Sequence, residues 1–268
     1  MEKIAIVIDT IGPLKQEIGF HMEAADETLF GRLVTILREE KDNWYYVETD
    51  YRYTGYIHGD YLLIDREKAD EWDRDANHIV KWGIIDVMKE PKYQSYSIKL
   101  LTRGAIIQLT GNINKNWVEI IMPTGERGWV KKELIGNRIR PGKVEKELRQ
   151  KVVDTALAYL GTQYRWGGKT PLGIDCSGLT SISYLINGVV IYRDSQIKEE
   201  FGMRRISKEE MKPGDLLYWP GHVAIYIGND KYIHSTGASG GVVINSLNPD
   251  HADYRGDLVK IKEIGTVF

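Results

Sequence analysis

One interval governs the first half of this chain. Gly31, Asn43, Trp44 and Gly55 recur as Gly104, Asn116, Trp117 and Gly128, each 73 residues later. Apolar positions keep the same interval: Val34 and Ile36 return as Ile107 and Leu109, and Ile57 returns as Val130. Glycine, amide, aromatic and aliphatic positions obeying one offset imply two copies of one structural unit. Inside a copy, alternating Val34 and Ile36, then Trp44-Tyr45-Tyr46-Val47, then Gly55-Tyr56-Ile57, are separated by polar turns, which is the signature of short strands. The expected fold is therefore two small all-β barrels, over 17–64 and 78–137. Residues 1–16 are expected to form a separate N-terminal segment. Residues 65–77 are expected to form a charged linker or solvated helix, with nine charged residues in the twelve from Asp65 to Ala76. Tryptophans in such barrels are core residues more often than ligand contacts.

Composition narrows the partners. The 268 residues carry a formal net charge of −2, with 42% hydrophobic and 28% charged side chains. That balance supplies no field for nucleic acid or an anionic membrane surface. The apolar run Ile4–Ile8 is too short for a signal core or a membrane span and reads as a strand. No nucleic acid and no membrane span are expected, and the chain reads as cytoplasmic.

Residues 138–268 have a different pattern. After a linker at 136–143, Leu148, Val152, Val153, Ala156, Leu157 and Leu160 share one face of an amphipathic helix over 144–160, stopped by Gly161. A second helix follows Asp175, with Leu179, Ile182, Leu185 and Ile186 at helical spacing. Strands then come at Leu216–Trp219, His222–Ile227 and Lys231–His234, with turns at Pro220-Gly221 and Gly228-Asn229-Asp230. The domain is α+β, helices first and antiparallel sheet after, in the papain-like order.

Cys176 is the only cysteine of the chain, so it has no intramolecular disulfide partner. Asp175 is a good N-cap type, which puts Cys176 in the first turn, where unpaired amides and the helix dipole favour a thiolate. A small buried hydrophobe is the competing reading. A nucleophilic thiol needs a base, and of six histidines only His222 and His234 lie in a patterned hairpin. His222 is placed to act as base and His234 to orient it. A regular two-residue turn at Asn229-Asp230 would put the two rings on opposite faces. A three-residue loop or one β-bulge puts them on the same face, and one of these is expected. Two other readings stand beside this one. Cys176, His222 and His234 could bind zinc, though no close ligand pair supports it, or the histidines could be structural. No metal and no cofactor are expected.

Tyr164-Arg165-Trp166-Gly167-Gly168, Asp175-Cys176-Ser177-Gly178, Pro213-Gly214-Asp215-Leu216, Gly221-His222-Val223-Ala224-Ile225-Tyr226-Ile227-Gly228 and Ile233-His234-Ser235, taken in order, resemble the motifs of the NlpC/p60 cysteine peptidases. Asn116-Trp117 followed by Gly128-Trp129-Val130 resembles bacterial SH3-like domains. With two such units upstream, the whole chain resembles the γ-D-glutamyl-L-diamino acid endopeptidases. The resemblance implies Cys176 as nucleophile, His222 as base and His234 as its orienter. It implies substrate contacts at Tyr164, Asp175 and Ser177, with Tyr164 and the Cys176 amide as oxyanion donors. It implies a murein peptide substrate, L-Ala-γ-D-Glu-diamino acid, whose free amine is held by Asp175, Glu23 and Tyr53. Glu23 and Tyr53 rest on looser matches at 23–31 and 51–55. Asp175 would then give one oxygen to the backbone and one to the ligand. Tyr192 stands where the family usually has Pro. A secreted autolysin, or a wall-binding protein with an inactive peptidase domain, are the alternatives.

Overall fold

The computed structural model describes residues 3–140, 147–256 and 260–268. The chain forms two units, Met1–Arg138 and Ile139–Phe268.

The first unit contains fourteen strands and one α-helix among its described residues. They are β1 (Lys3–Val7), β2 (Ile11–Lys15), β3 (Ala24–Leu29), β4 (Leu33–Glu39), β5 (Trp44–Thr49), β6 (Thr54–His58), β7 (Leu62–Ile64), α1 (Arg66–Asp75), β8 (His78–Val80), β9 (Ile84–Met88), β10 (Ser97–Thr102), β11 (Ile106–Asn114), β12 (Trp117–Ile121), β13 (Arg127–Lys131) and β14 (Ile135–Asn137). Two seven-stranded sheets result, in the orders β3-β2-β6-β5-β4-β1-β7 and β10-β9-β13-β12-β11-β8-β14. Adding seven to each strand number of the first order gives the second. The interval of 73 relates β2 to β9, β3 to β10, β6 to β13 and β7 to β14 end to end. An aromatic cluster repeats with it: Phe20, Trp44 and His58 in one copy, Tyr93, Trp117 and Lys131 in the other. Trp44 and Trp117 are both buried.

One expectation is corrected and another narrowed. The expected N-terminal segment 1–16 is not separate over its described residues, 3–16, because β1 pairs with both β4 and β7, and β2 with both β3 and β6. The reason is burial: Ala5, Ile6 and Val7 are all fully buried, alternate residues serving different core clusters. Within 65–77 the helix reading holds, as α1 (Arg66–Asp75) capped by the Asp65 carboxylate on the Lys68 amide, but the helix is not solvated all round. Its Ala69 and Trp72 are buried, and the Trp72 indole N–H donates to the Gly31 carbonyl at 2.8 Å. Gly31 has φ +75, and a Cβ there would lie 2.2 Å from the Ile106 carbonyl oxygen. Only glycine lets the two copies approach this closely.

The second unit contains α2 (Leu148–Leu157), β15 (Lys169–Thr170), β16 (Gly173–Ile174), α3 (Cys176–Leu185), β17 (Arg204–Ile206), β18 (Leu216–Trp219), β19 (His222–Gly228), β20 (Lys231–Thr236), β21 (Gly241–Ser246) and β22 (Glu263–Thr266). It is α+β, with an antiparallel six-stranded sheet ordered β17-β22-β18-β19-β20-β21. Helix α3 packs on α2, β19 and β20, and all ten of its residues are buried. Helix α2 ends earlier than its apolar pattern suggested. The chain tightens through Tyr159 N–H to Ala156 O and Leu160 N–H to Leu157 O. That turn buries Tyr159 and leaves Leu160 exposed. The linker expected at 136–143 begins inside β14, and its part at 141–143, with the helix start at 144–146, lies outside the described residues.

Candidate active site

Helix α3 begins at Cys176 because Asp175 stops the extended chain and caps the first turn. The Asp175 backbone is extended, and its Oδ1 accepts from the Gly178 amide at 2.6 Å. Its Oδ2 accepts from the Gly167 amide at 2.8 Å, which ties the Trp-Gly-Gly loop to the helix start. Arg193 completes this arrangement. Its two terminal nitrogens reach Asp175 Oδ1 and Oδ2, each at 3.1 Å, and one also donates to Ser177 Oγ at 2.6 Å. Arg193 and Asp175 are both buried, so this fork-to-carboxylate pair is screened little. Both Asp175 oxygens therefore already hold partners within the chain, each accepting from a backbone amide and from Arg193.

The Cys176 thiol sits 8% exposed at the head of α3. Burial, reinforced by the Asp175 charge, pushes it up to about 11, against the pull of the Val223 and Ser177 amides and of Arg193. The Val223 amide aimed at the sulfur belongs to the residue after His222, so β19 brings the histidine to the helix start. The Tyr164 hydroxyl is pushed up to about 12, chiefly by burial and then by the Cys176 and Asp175 charges, so it stays a donor.

The two histidines meet through a bulge. Gly228 pairs with Lys231 across the two-residue turn Asn229-Asp230, but Tyr226 pairs with Tyr232 and Ile225 with Ile233. One extra residue on β19 changes the parity, as the sequence required for a shared face. Gly228 takes φ +95 to make the bulge, and Asn229 and Asp230 take φ +52 and +56 in the turn. His222 Nε2 then lies 2.7 Å from His234 Nδ1. His234 is fully buried, and its Nε2 lies 2.9 Å from Asn245 Oδ1 on β21. Asn245 Nδ2 in turn donates to the Asp253 carbonyl at 2.8 Å.

Tyr164, Asp175, Cys176, Ser177, His222 and His234 thus all belong to the second unit. Glu23, exposed, precedes β3, and Tyr53, half-buried, precedes β6. Both lie in the first unit, where β3 and β6 run parallel on either side of β2 and start at the same end. Arg193 and Asn245 received no role from the sequence. Arg193 had no signal beyond following Tyr192, and Asn245 could have been found only by extending the strand parity from β20 to β21.

Known proteins resemble the chain along most of its length. The NlpC/P60 family matches residues 161–260. "Dipeptidyl-peptidase 6" of Lysinibacillus sphaericus is 41% identical over 269 residues, covering 98% of this chain and 99% of the relative. "Gamma-D-glutamyl-L-lysine dipeptidyl-peptidase" of Bacillus cereus is 26% identical, covering 83% of this chain and 70% of the relative. The crystal structure of an NlpC/P60 family protein from Bacillus cereus superposes with TM-score 0.80 at 20% identity, covering 97% of this chain and 98% of that one. With its helix-borne cysteine, its histidine pair and a full-length relative at 41% identity, the chain belongs to the NlpC/P60 family of cysteine peptidases.

Proposed function

We propose that the protein hydrolyses the γ-D-glutamyl–L-diamino acid bond of murein peptides that carry a free N-terminal L-Ala. Cys176 Sγ attacks the amide carbonyl, and His222 takes the thiol proton and returns it to the leaving amine. His234 holds His222 in orientation, and water then releases the acyl-enzyme. The Cys176 amide and the Tyr164 hydroxyl stabilise the oxyanion, and Ser177 contributes to substrate binding. The observation that carries this reading is the 2.7 Å contact of His222 with His234, next to the residue whose amide points at Cys176.

Two relatives are named dipeptidyl-peptidases, enzymes that remove two residues from a free N-terminus. Requiring that amine favours released peptides over intact wall, and so peptide recycling in the cytoplasm. In this reading the repeated units are SH3-like modules, and Glu23 and Tyr53 contact the amine. Asp175 adds negative field from its Arg193-held position.

The test is mass spectrometry of L-Ala-γ-D-Glu-diamino acid, with diaminopimelate or lysine third, beside the N-acetylated peptide and purified sacculi. Cleavage of the free peptide alone, lost in Cys176→Ala, is the expected result. Turnover by Cys176→Ala would overturn the mechanism. Glu23→Ala should reduce cleavage of the free peptide and leave any slow cleavage of the acetylated one unchanged; equal loss on both would remove Glu23 from amine recognition.

A further inference from the structure

The geometry points to Asn245 as a positioning residue of the reaction, one that fixes which nitrogen of His222 acts as the base. This rests on the proposed roles of Cys176 and His222. The Asp253 backbone carbonyl can only accept, so the Asn245 atom 2.8 Å away must be its NH2 group. The Asn245 oxygen then faces His234 Nε2 at 2.9 Å, and that nitrogen must carry a hydrogen. A neutral imidazole has one N–H, so His234 Nδ1 presents a lone pair. At 2.7 Å the proton between the rings therefore belongs to His222 Nε2. The remaining lone pair of His222 is on Nδ1, which is the atom that receives the thiol proton.

The direction is imposed by a backbone carbonyl and cannot easily reverse. In the opposite tautomers, the His234 Nε2 lone pair would face the Asn245 oxygen with no proton between them, at a buried position. An amide oxygen of Asn245 also does not take up a proton at neutral pH. When His222 is protonated, the positive charge therefore stays on His222, which donates a charge-assisted hydrogen bond to His234. Strand parity explains why Asn245 is in place. In the β20–β21 register Tyr232 opposes Asn245 and His234 opposes Val243, so Asn245 and His234 are diagonal neighbours on one face.

Among the described residues, three segments bring titratable groups near the pair. Tyr232 stacks edge-on against His234, with ring centroids 5.0 Å apart. Cys176 and Asp175 head the helix packed on β19 and β20. The Asp253 carboxylate is turned onto Lys231 Nζ at 2.6 and 2.7 Å.

The experiment is ¹⁵N-histidine NMR of the intact, unsubstituted protein, with His222 and His234 assigned through single-histidine variants. It is paired with pH profiles of kcat/KM for Asn245→Asp and Asn245→Ala. Nε2–H tautomers at both histidines are expected. An Nδ1–H tautomer at His222 would overturn the inference. Asn245→Asp still accepts from His234 but adds a negative charge that stabilises the protonated histidine pair. The acid limb of its profile should therefore move to higher pH, by about one unit or more. Asn245→Ala should lose roughly ten- to a hundred-fold in kcat with KM little changed. An unmoved acid limb in a folded Asn245→Asp protein would also overturn the role. Activity remaining in Cys176→Ala would instead sink the peptidase mechanism, and the tautomer result stands separately from it. The tautomers are read on the unsubstituted protein, and the histidine variants serve only to assign its signals.

Discussion

At the scale of single residues, Cys176 is held where its chemistry depends on a neighbour. Burial outweighs the helix start and pushes its thiol up to about 11. An acid raised that far is almost wholly protonated at pH 7, so nucleophilicity at neutral pH requires His222 to take the proton. The consequence is measurable by iodoacetamide alkylation. The unaltered protein should react at neutral pH. His222→Ala should react slowly there and faster only as the pH climbs well above neutral. Equal rates at pH 7 would show that His222 is not the acceptor. The thiol and the two histidines could be read from the sequence because rare residue types sat in patterned segments. Arg193 could not be assigned, because its partner Asp175 lies 18 residues away and only the fold brings the fork onto the carboxylate. Removing one member of such a buried pair typically costs about 3–5 kcal/mol, while a neutral replacement of both costs far less.

At the scale of elements, the β19–β20 hairpin turns a strand into a proton acceptor. Parity alone showed that a regular two-residue turn would separate the histidines. It did not show where the extra residue would go, since a longer loop satisfies the same count. The structure leaves Ile227 as the extra residue, between paired Tyr226 and Gly228, and the bulge gives Gly228 a φ of +95 that is costly for any residue with a Cβ. Gly228→Ala should lower stability by about 1–2 kcal/mol in urea unfolding and reduce activity as the bulge resists. A variant as stable and as active as the parent would mean that the bulge does not depend on glycine there. Helix α3 was legible in outline, but its burial on every side was not. Ser177, Thr180, Ser181 and Ser183 lie off the apolar positions Leu179, Ile182, Leu185 and Ile186. In the fold their hydroxyls are satisfied locally, Thr180, Ser181 and Ser183 each donating to a backbone carbonyl of the preceding turn.

Across the whole molecule, the interval of 73 proved more informative than the reading first drawn from it. Carried back from β8 and β9, the same offset lands on β1 and β2, so it already contained the correction to residues 1–16. The first of these reads as a strand at Ile4–Ile8 but without a partner, and the second is five residues long and interrupted by Pro13. The close approach of the copies at Gly31 was not legible, since it needs the Ile106 carbonyl in place. Gly31→Ala should destabilise the first unit by roughly 1–3 kcal/mol from φ strain and overlap, read by chemical unfolding. A change under about 0.5 kcal/mol would show that the contact relaxes freely.

Identical strand order in two tandem copies also sets a sorting problem for the folding chain. Each strand has its own partner and a topologically equivalent stranger in the other copy. Strand β4 can find β5 across residues 40–43, or β12 across residues 40–116. Closing the longer loop costs about 2.6 kcal/mol more in chain entropy, which favours the local partner when pairing is reversible. Divergence between the copies, such as Phe20 against Tyr93 and His58 against Lys131, adds a chemical label to that preference. A chain whose copies were made identical would lose the label and keep only the entropy, and strand exchange between copies would become its main route to misfolding.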